Sequence, residues 1–207
     1  MNLKSVGVIG AGQMGSGIAQ VFAMAGFQVV LNDVRQKQLD QAMGLIESNI
    51  ERQVAKGKTT PGEKSAALDL IKPALDLEFV GQCDLVIEAA TERETVKQAI
   101  FEALAPHLAP HTILTSNTSS ISITRLAART DRPEKFMGFH FMNPVPAMQL
   151  VELIRGIATD DATYQTLLAV VERLGKTSAT AEDYPAFIVN RILLPMINEA
   201  VYTLYEG

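Results

Sequence analysis

The sequence predicts an α/β chain built on a doubly wound, mostly parallel sheet, and three observations carry that prediction. A β-branched run, Val6-Gly7-Val8-Ile9, leads into Gly10-Ala11-Gly12-Gln13-Met14-Gly15 and then into Ile18, Ala19, Val21, Phe22 and Ala25 at helical spacing. A second apolar run over 29–32 ends on the carboxylate of Asp33. Strand-like and helix-like stretches then alternate as far as residue 180, the order expected of a parallel sheet with helices on both faces.

In the first turn each glycine has its own task. Gly10 permits the tight bend, Gly12 lets the backbone approach a pyrophosphate, and Gly15 lets the helix pack close to the strand. The helix behind them turns free N–H groups and its positive dipole end toward the phosphates. Asp33 lies eighteen residues beyond Gly15, where an acid accepts hydrogen bonds from an adenosine ribose and repels a 2′-phosphate, so NAD is favoured over NADP. Arg35 reads as a solvated residue opening the next helix.

Ala42, Leu45, Ile46, Ile50 and Val54 make one helical stripe, residues 56–62 break the chain, and a further helix starts near Glu63. These predict a projecting helical arm, about 35–72, inserted before the third strand. Residues 84–89 follow as a buried strand, 96–104 as a helix and 112–115 as a strand. Strands over 136–140 and 148–154, a helix over 162–174 and a short strand over 177–180 complete the pattern, and there is no internal repeat.

Composition bounds the function classes. The chain is 47% hydrophobic and 20% charged with a net charge of −5, its 18 basic residues are scattered, and 6% aromatic content argues against a nucleic-acid surface. No apolar run has the length of a membrane span and no signal-peptide pattern opens the sequence, so the expectation is a cytoplasmic protein without membrane contact. The single Cys83 excludes an internal disulfide and reads as a core thiol.

Ligands on such sheets lie beyond the carboxyl ends of the strands. There the sequence places Ser116-Asn117-Thr118-Ser119-Ser120, His140, and Glu152 flanked by Val151 and Leu153, where a carboxylate is costly to bury unless paired. Taken alone, the first is a turn and His140 a core histidine; together, a His and an acid on neighbouring strands can form a base and its orienter. His107 and His111 flank a Pro-containing surface turn, and no residue set has zinc-ligand spacing, so no metal is implied.

Four ordered motifs, Ser116-Asn117-Thr118-Ser119-Ser120, His140-Phe141-Met142-Asn143-Pro144-Val145-Pro146, Leu150-Val151-Glu152-Leu153-Ile154 and Phe187-Ile188-Val189-Asn190-Arg191, resemble the L-3-hydroxyacyl-CoA dehydrogenase family, and the resemblance covers residues 3–207. It implies a Rossmann-type fold and an NAD-dependent oxidoreductase interconverting (S)-3-hydroxyacyl-CoA, with a short 3-hydroxybutyryl chain, and 3-oxoacyl-CoA. His140 would be the general base and Glu152 the group that orients it. Ser119 and Asn190 would bond the substrate oxygens. Gln13, Met14, Asn117, Ser119 and Asn143 would join Gly10, Gly12, Gly15 and Asp33 around the cofactor, with Glu92 and Lys97 at its nicotinamide-side ribose. Lys56 on the arm would meet a phosphate of coenzyme A. Two departures stand out: Met142 replaces the family's phenylalanine, and Pro185-Ala186-Phe187 replaces Pro-Gly-Phe, so that a positive φ at Ala186 would strain the approach to Asn190.

The expected organisation is a cofactor-binding domain over 1–183 and the first helix, 184–207, of an all-α substrate and dimerisation domain that is truncated relative to the family. Ile188, Ile192, Leu193, Met196, Ile197, Ala200, Val201 and Leu204 make a continuous apolar stripe on that helix. Three explanations compete: a piece of a longer enzyme, which is preferred, a stripe that pairs with a second copy as in a homodimer, and a naturally short chain. The alternatives in function are an NAD-binding or structural protein without turnover and a dehydrogenase of another 3-hydroxy acid.

Overall fold

In the computed structural model, which describes residues 3–207, the glycine turn joins β1 (Ser5–Ile9) to α1 (Gln13–Met24), and β2 (Gln28–Asn32) completes the first unit. Next come α2 (Gln36–Ala55), α3 (Pro61–Asp69), β3 (Ile71–Ala74), α4 (Leu77–Gly81), β4 (Leu85–Glu88), α5 (Glu94–Leu104), β5 (Ile113–Ser116) and α6 (Ile123–Ala127). β6 (Phe136–Phe141), β7 (Leu150–Arg155), α7 (Asp161–Arg173), β8 (Thr177–Glu182) and α8 (Val189–Glu206) follow.

The strands form one sheet in the order β3-β2-β1-β4-β5-β6-β7-β8, parallel at every step except β6 against β7. Every residue of β4, β5 and β6 is buried, as strands covered on both faces require. Alternation along β6 divides the core. Met137, Phe139 and Phe141 face α1, where Phe22 makes edge-on contacts with both phenylalanines, while Phe136 faces the opposite layer with Phe101 of α5 and Ile123 and Leu126 of α6.

The insertion after β2 differs from its expected form. Leu39, Ala42, Ile46 and Ile50 of α2 belong to the core on the α1 side, so the arm packs along its inner face instead of projecting freely. Its second helix opens with a capping box, Thr60 with Glu63, and has Pro61 in its first turn. The predicted arm ran to residue 72, but Ile71–Ala74 is an edge strand beside β2, a position that tolerates Pro73.

The C-terminal helix contrasts with the rest. No residue of α8 is buried, and Ile192 and Leu204 are 63% and 84% exposed. Among the described residues no helix is long and apolar enough to cross a membrane.

Candidate functional site

At the carboxyl end of β1, Gly10 takes φ +98°, and a Cβ there would stand 2.8 Å from the Ala89 carbonyl oxygen. A Cβ on Gly15 would collide with the Gly10 carbonyl, so α1 approaches β1 as closely as a bare backbone allows. Gly12 is the residue before α1, no side chain caps its first turn, and nothing lies within 4 Å of where a Cβ on Gly12 would be. The N-terminal N–H groups of α1 therefore face an open cradle suited to a pyrophosphate.

Asp33 borders the same space. Its Oδ2 accepts from the Ala11 N–H at 3.1 Å and its Oδ1 from the Arg35 N–H at 3.1 Å, which fixes the carboxylate at the tip of β2. Gly10, Gly12, Gln13, Met14 and Asp33 line a cavity of about 620 Å³. The donor loop, the open Gly12 face and the oriented carboxylate fit an adenosine diphosphate unit carrying a free 2′-hydroxyl.

A second cavity of about 450 Å³ shares Met14, Ala89 and Ala90 with the first and is lined further by Glu92, Asn117, Ser119, His140, Asn143 and Asn190. His140 and Glu152 are direct register partners across β6 and β7, and Nδ1 of the imidazole lies 2.6 Å from Glu152 Oε2. Glu152 is fully buried, and its Oε1 accepts from the N–H groups of Ile188 and Val189 at 2.9 and 2.8 Å. Burial works to raise this carboxyl, but hydrogen bonds from His140, Val189 and Ile188 outweigh it and hold Glu152 below the usual carboxylate range. In a neutral imidazole, an ionised Glu152 favours the proton on Nδ1, which leaves the lone pair on Nε2. The arrangement can accept a proton from a group bound in the cavity.

The surrounding polar groups are oriented as well. Asn117 Oδ1 accepts from the Phe141 N–H at 2.8 Å, which leaves its amide N–H groups for other partners. Gln13 donates to Asn143 Oδ1 at 3.1 Å, linking the glycine turn to the segment after β6. Asn190 Nδ2 stands 3.5 Å from the Ser119 carbonyl. Ala186 and Phe187 have φ +66° and +54°, so the strain expected at the Pro-Ala-Phe turn is present, and the turn still delivers Asn190 to the cavity.

Glu92 and Lys97 occupy different positions. Glu92 borders the second cavity, accepts from the Ser119 N–H at 2.8 Å and from the Thr118 hydroxyl, and is held below the carboxylate range by these bonds and by Lys97 against the opposing effect of burial. Lys97 is 1% exposed and borders neither cavity; its Nζ lies 2.8 and 2.9 Å from the two oxygens of Glu88 and 3.4 Å from Glu92 Oε2. Glu88 was not singled out in the sequence, although a carboxylate closing the apolar run Leu85-Val86-Ile87 carries the same signal that marks Glu152.

Lys56 stands apart from both cavities, in a third of about 430 Å³ lined also by Arg52, Lys58, Asn49 and Pro144. The two further cations are ones that sequence reasoning passed over. Burial pushes the Cys83 thiol up to about 12, so it is inert at neutral pH. Among the described residues no group of three His, Cys, Asp or Glu side chains could hold a metal ion.

Comparison with known proteins bears on this geometry. The family described as 3-hydroxyacyl-CoA dehydrogenase, NAD binding domain, matches residues 5–184. The chain is 62% identical to a 3-hydroxybutyryl-CoA dehydrogenase of Bradyrhizobium diazoefficiens over 99% of its own length and 70% of the relative's. It is 46% identical to a probable 3-hydroxybutyryl-CoA dehydrogenase of Bacillus subtilis, covering 72% of that protein. The crystal structure of (S)-3-hydroxybutyryl-CoA dehydrogenase from Ralstonia eutropha superposes with a TM-score of 0.97 at 44% identity, over all of this chain and 73% of the other.

Proposed function

Because the chain belongs to the 3-hydroxyacyl-CoA dehydrogenase family, whose matched domain binds NAD, we propose that it interconverts (S)-3-hydroxyacyl-CoA and 3-oxoacyl-CoA with His140 as general base. The observation that carries this reading is the buried His140–Glu152 pair opening on the cavity next to the glycine cradle. Bound NAD would supply the acceptor for the hydride leaving C3. His140 Nε2 takes the proton of the 3-hydroxyl, and Glu152 holds the ring in place and stabilises the imidazolium that forms. Ser119 and Asn190 donate hydrogen bonds to the substrate oxygen, where negative charge grows as the proton leaves.

Around the cofactor the reading assigns Gly10, Gly12, Gln13 and Met14 to the pyrophosphate turn, with Gly15 bringing α1 close behind it, Asp33 to the adenosine ribose, and Glu92, Asn117, Ser119 and Asn143 to the nicotinamide side, with Lys97 acting from behind Glu92. Lys56, with Arg52 and Lys58 beside it, supplies positive charge for the phosphates of coenzyme A. A short acyl chain is supported by the names of the similar proteins, which are 3-hydroxybutyryl-CoA enzymes.

The same reading divides the chain into a cofactor unit over 1–183 and a segment over 184–207, a turn followed by α8, that begins a substrate and dimerisation unit. The apolar α8, none of whose residues is buried, supports this, and self-association through it is the expected behaviour. Sedimentation across a concentration series tests the point: a monodisperse monomer throughout would contradict it. The activity is tested by following NADH absorbance after addition of acetoacetyl-CoA, with His140→Ala as control. Turnover that the variant lacks is expected, and NADH binding without any turnover by the parent chain would remove the catalytic reading.

A further inference from the structure

Glu88 has no part in the roles assigned above, yet it is fully buried at the end of β4, directly before the Ala89-Ala90 pair that borders both cavities. Its Oε1 accepts from the Ala90 N–H at 2.8 Å and from Lys97 Nζ at 2.8 Å; its Oε2 accepts from Lys97 Nζ at 2.9 Å and from the Ser116 hydroxyl at 2.6 Å. The carboxylate thus ties together the ends of β4 and β5 and the first turn of α5. Lys97 passes the constraint on, because its ammonium also lies 3.4 Å from Glu92, which accepts from Thr118 and the Ser119 backbone. One ammonium stands between two carboxylates, the inner one sealed off and the outer one bordering the cavity.

We infer that Glu88 is a positioning residue for the nicotinamide-side end of the cofactor cleft: it fixes the Lys97 ammonium beside Glu92 and through it holds Glu92 and the 117–120 turn in place. The inference rests on the proposed reading of Glu92 and Lys97 as groups on that side of the cofactor. Its physical basis is the asymmetry of buried pairs. Taking away one member leaves the other charge uncompensated, and that charge seeks a new partner. With Glu88 neutralised, Lys97 has only Glu92 to turn to, and Glu92 must then loosen its hold on Thr118 and Ser119.

The test compares two ligands on the whole chain. NADH spans both halves of the cleft, whereas ADP occupies the adenosine half alone. Affinities for both are measured for the parent, Glu88→Gln, Lys97→Met and the double variant. Glu88→Gln is expected to weaken NADH about tenfold and ADP less than about twofold, a selectivity that general damage to the fold would not produce. The double variant is expected to be no worse than Lys97→Met alone, since Glu88 acts through Lys97.

If Lys97→Met weakens NADH selectively while Glu88→Gln leaves it unchanged, or weakens NADH and ADP equally, the role of Glu88 is overturned. If Lys97→Met itself leaves NADH affinity untouched, the reading of Lys97 fails instead. Should Glu88→Gln not fold, Ser116→Ala removes one hydrogen bond from the same carboxylate. A selective loss of about two- to threefold on NADH is then expected, and no selective loss overturns the inference.

Discussion

Glu88 on β4 and Glu152 on β7 are both completely buried, the first closing an apolar stretch and the second inside one, and both face a basic side chain at 2.6 to 2.9 Å. They differ in what the basic partner has left to offer. Lys97 lies within reach of carboxylates alone and borders no cavity, so the Glu88 pair is a fixed joint. His140 is held by one ring nitrogen only and borders the cavity, so the Glu152 pair keeps a lone pair for chemistry. Burial and pairing mark both sites equally. On the proposed reading, a free, oriented nitrogen separates the pair that does chemistry from the one that only positions.

The sharpest way to break this comparison is His140→Ala. Loss of a positioned base should lower kcat about a thousandfold while NADH affinity stays within a few-fold, and equal losses in both would show that His140 serves the fold instead. Glu152→Gln comes next, with kcat expected to fall about a hundredfold because the ring loses the anion that stabilises its protonated form. Steady-state rates that remain unchanged would make Glu152 a second fixed joint like Glu88.

Smaller effects concern stability. Glu152, Glu92 and Asp183 are all held below the usual carboxylate range, Asp183 by the Ser122 hydroxyl and the N–H groups of Thr124 and Ile123 at the start of α6, against the raising effect of burial. A carboxyl whose pKa is depressed on folding contributes stability that is complete above its unfolded value, about 4, and is lost as pH falls through the folded value. Melting temperature should therefore be flat from neutral pH to about 5 and fall steeply below about 4. Asp183→Asn should lower the neutral-pH plateau and make that acid limb shallower, and an acid limb parallel to the parent's would count against the assignment.

The smallest expected change is at Ala186. Its φ of +66° costs an alanine about 1 kcal/mol, so Ala186→Gly should raise the melting temperature by about 2–4 °C. This turn supplies the two N–H groups that hold Glu152, and a lower melting temperature in the variant would mean that the left-handed conformation is not populated.

Legibility in the sequence followed the range of the interactions. The turn from β1 to α1 could be read because each glycine answers a local steric demand within a few residues, and Asp33 because the motif fixes its distance along the chain. Glu152 drew attention as a charge inside an apolar strand, and Glu88 carried the same signal without being noticed. β3, α4 and α6 have only four or five residues each, too few for a period to emerge, and Pro73 is unusual inside a strand. The cap of α6 by Asp183 spans about sixty residues, and the seclusion of Lys97 depends on which face of α5 meets the sheet. Neither can be inferred from neighbours in sequence.

The single antiparallel step in the sheet has a bearing on how this protein can tolerate insertions and deletions. His140 and Glu152 are opposite one another in the β6–β7 ladder, and directly opposed residues share a face whatever length of chain joins the strands. The 142–149 segment can therefore grow or shrink with the pair still facing itself. One residue added within either strand would turn one partner to the other side of the sheet, so the His140–Glu152 pairing is encoded by ladder position and not by spacing along the chain.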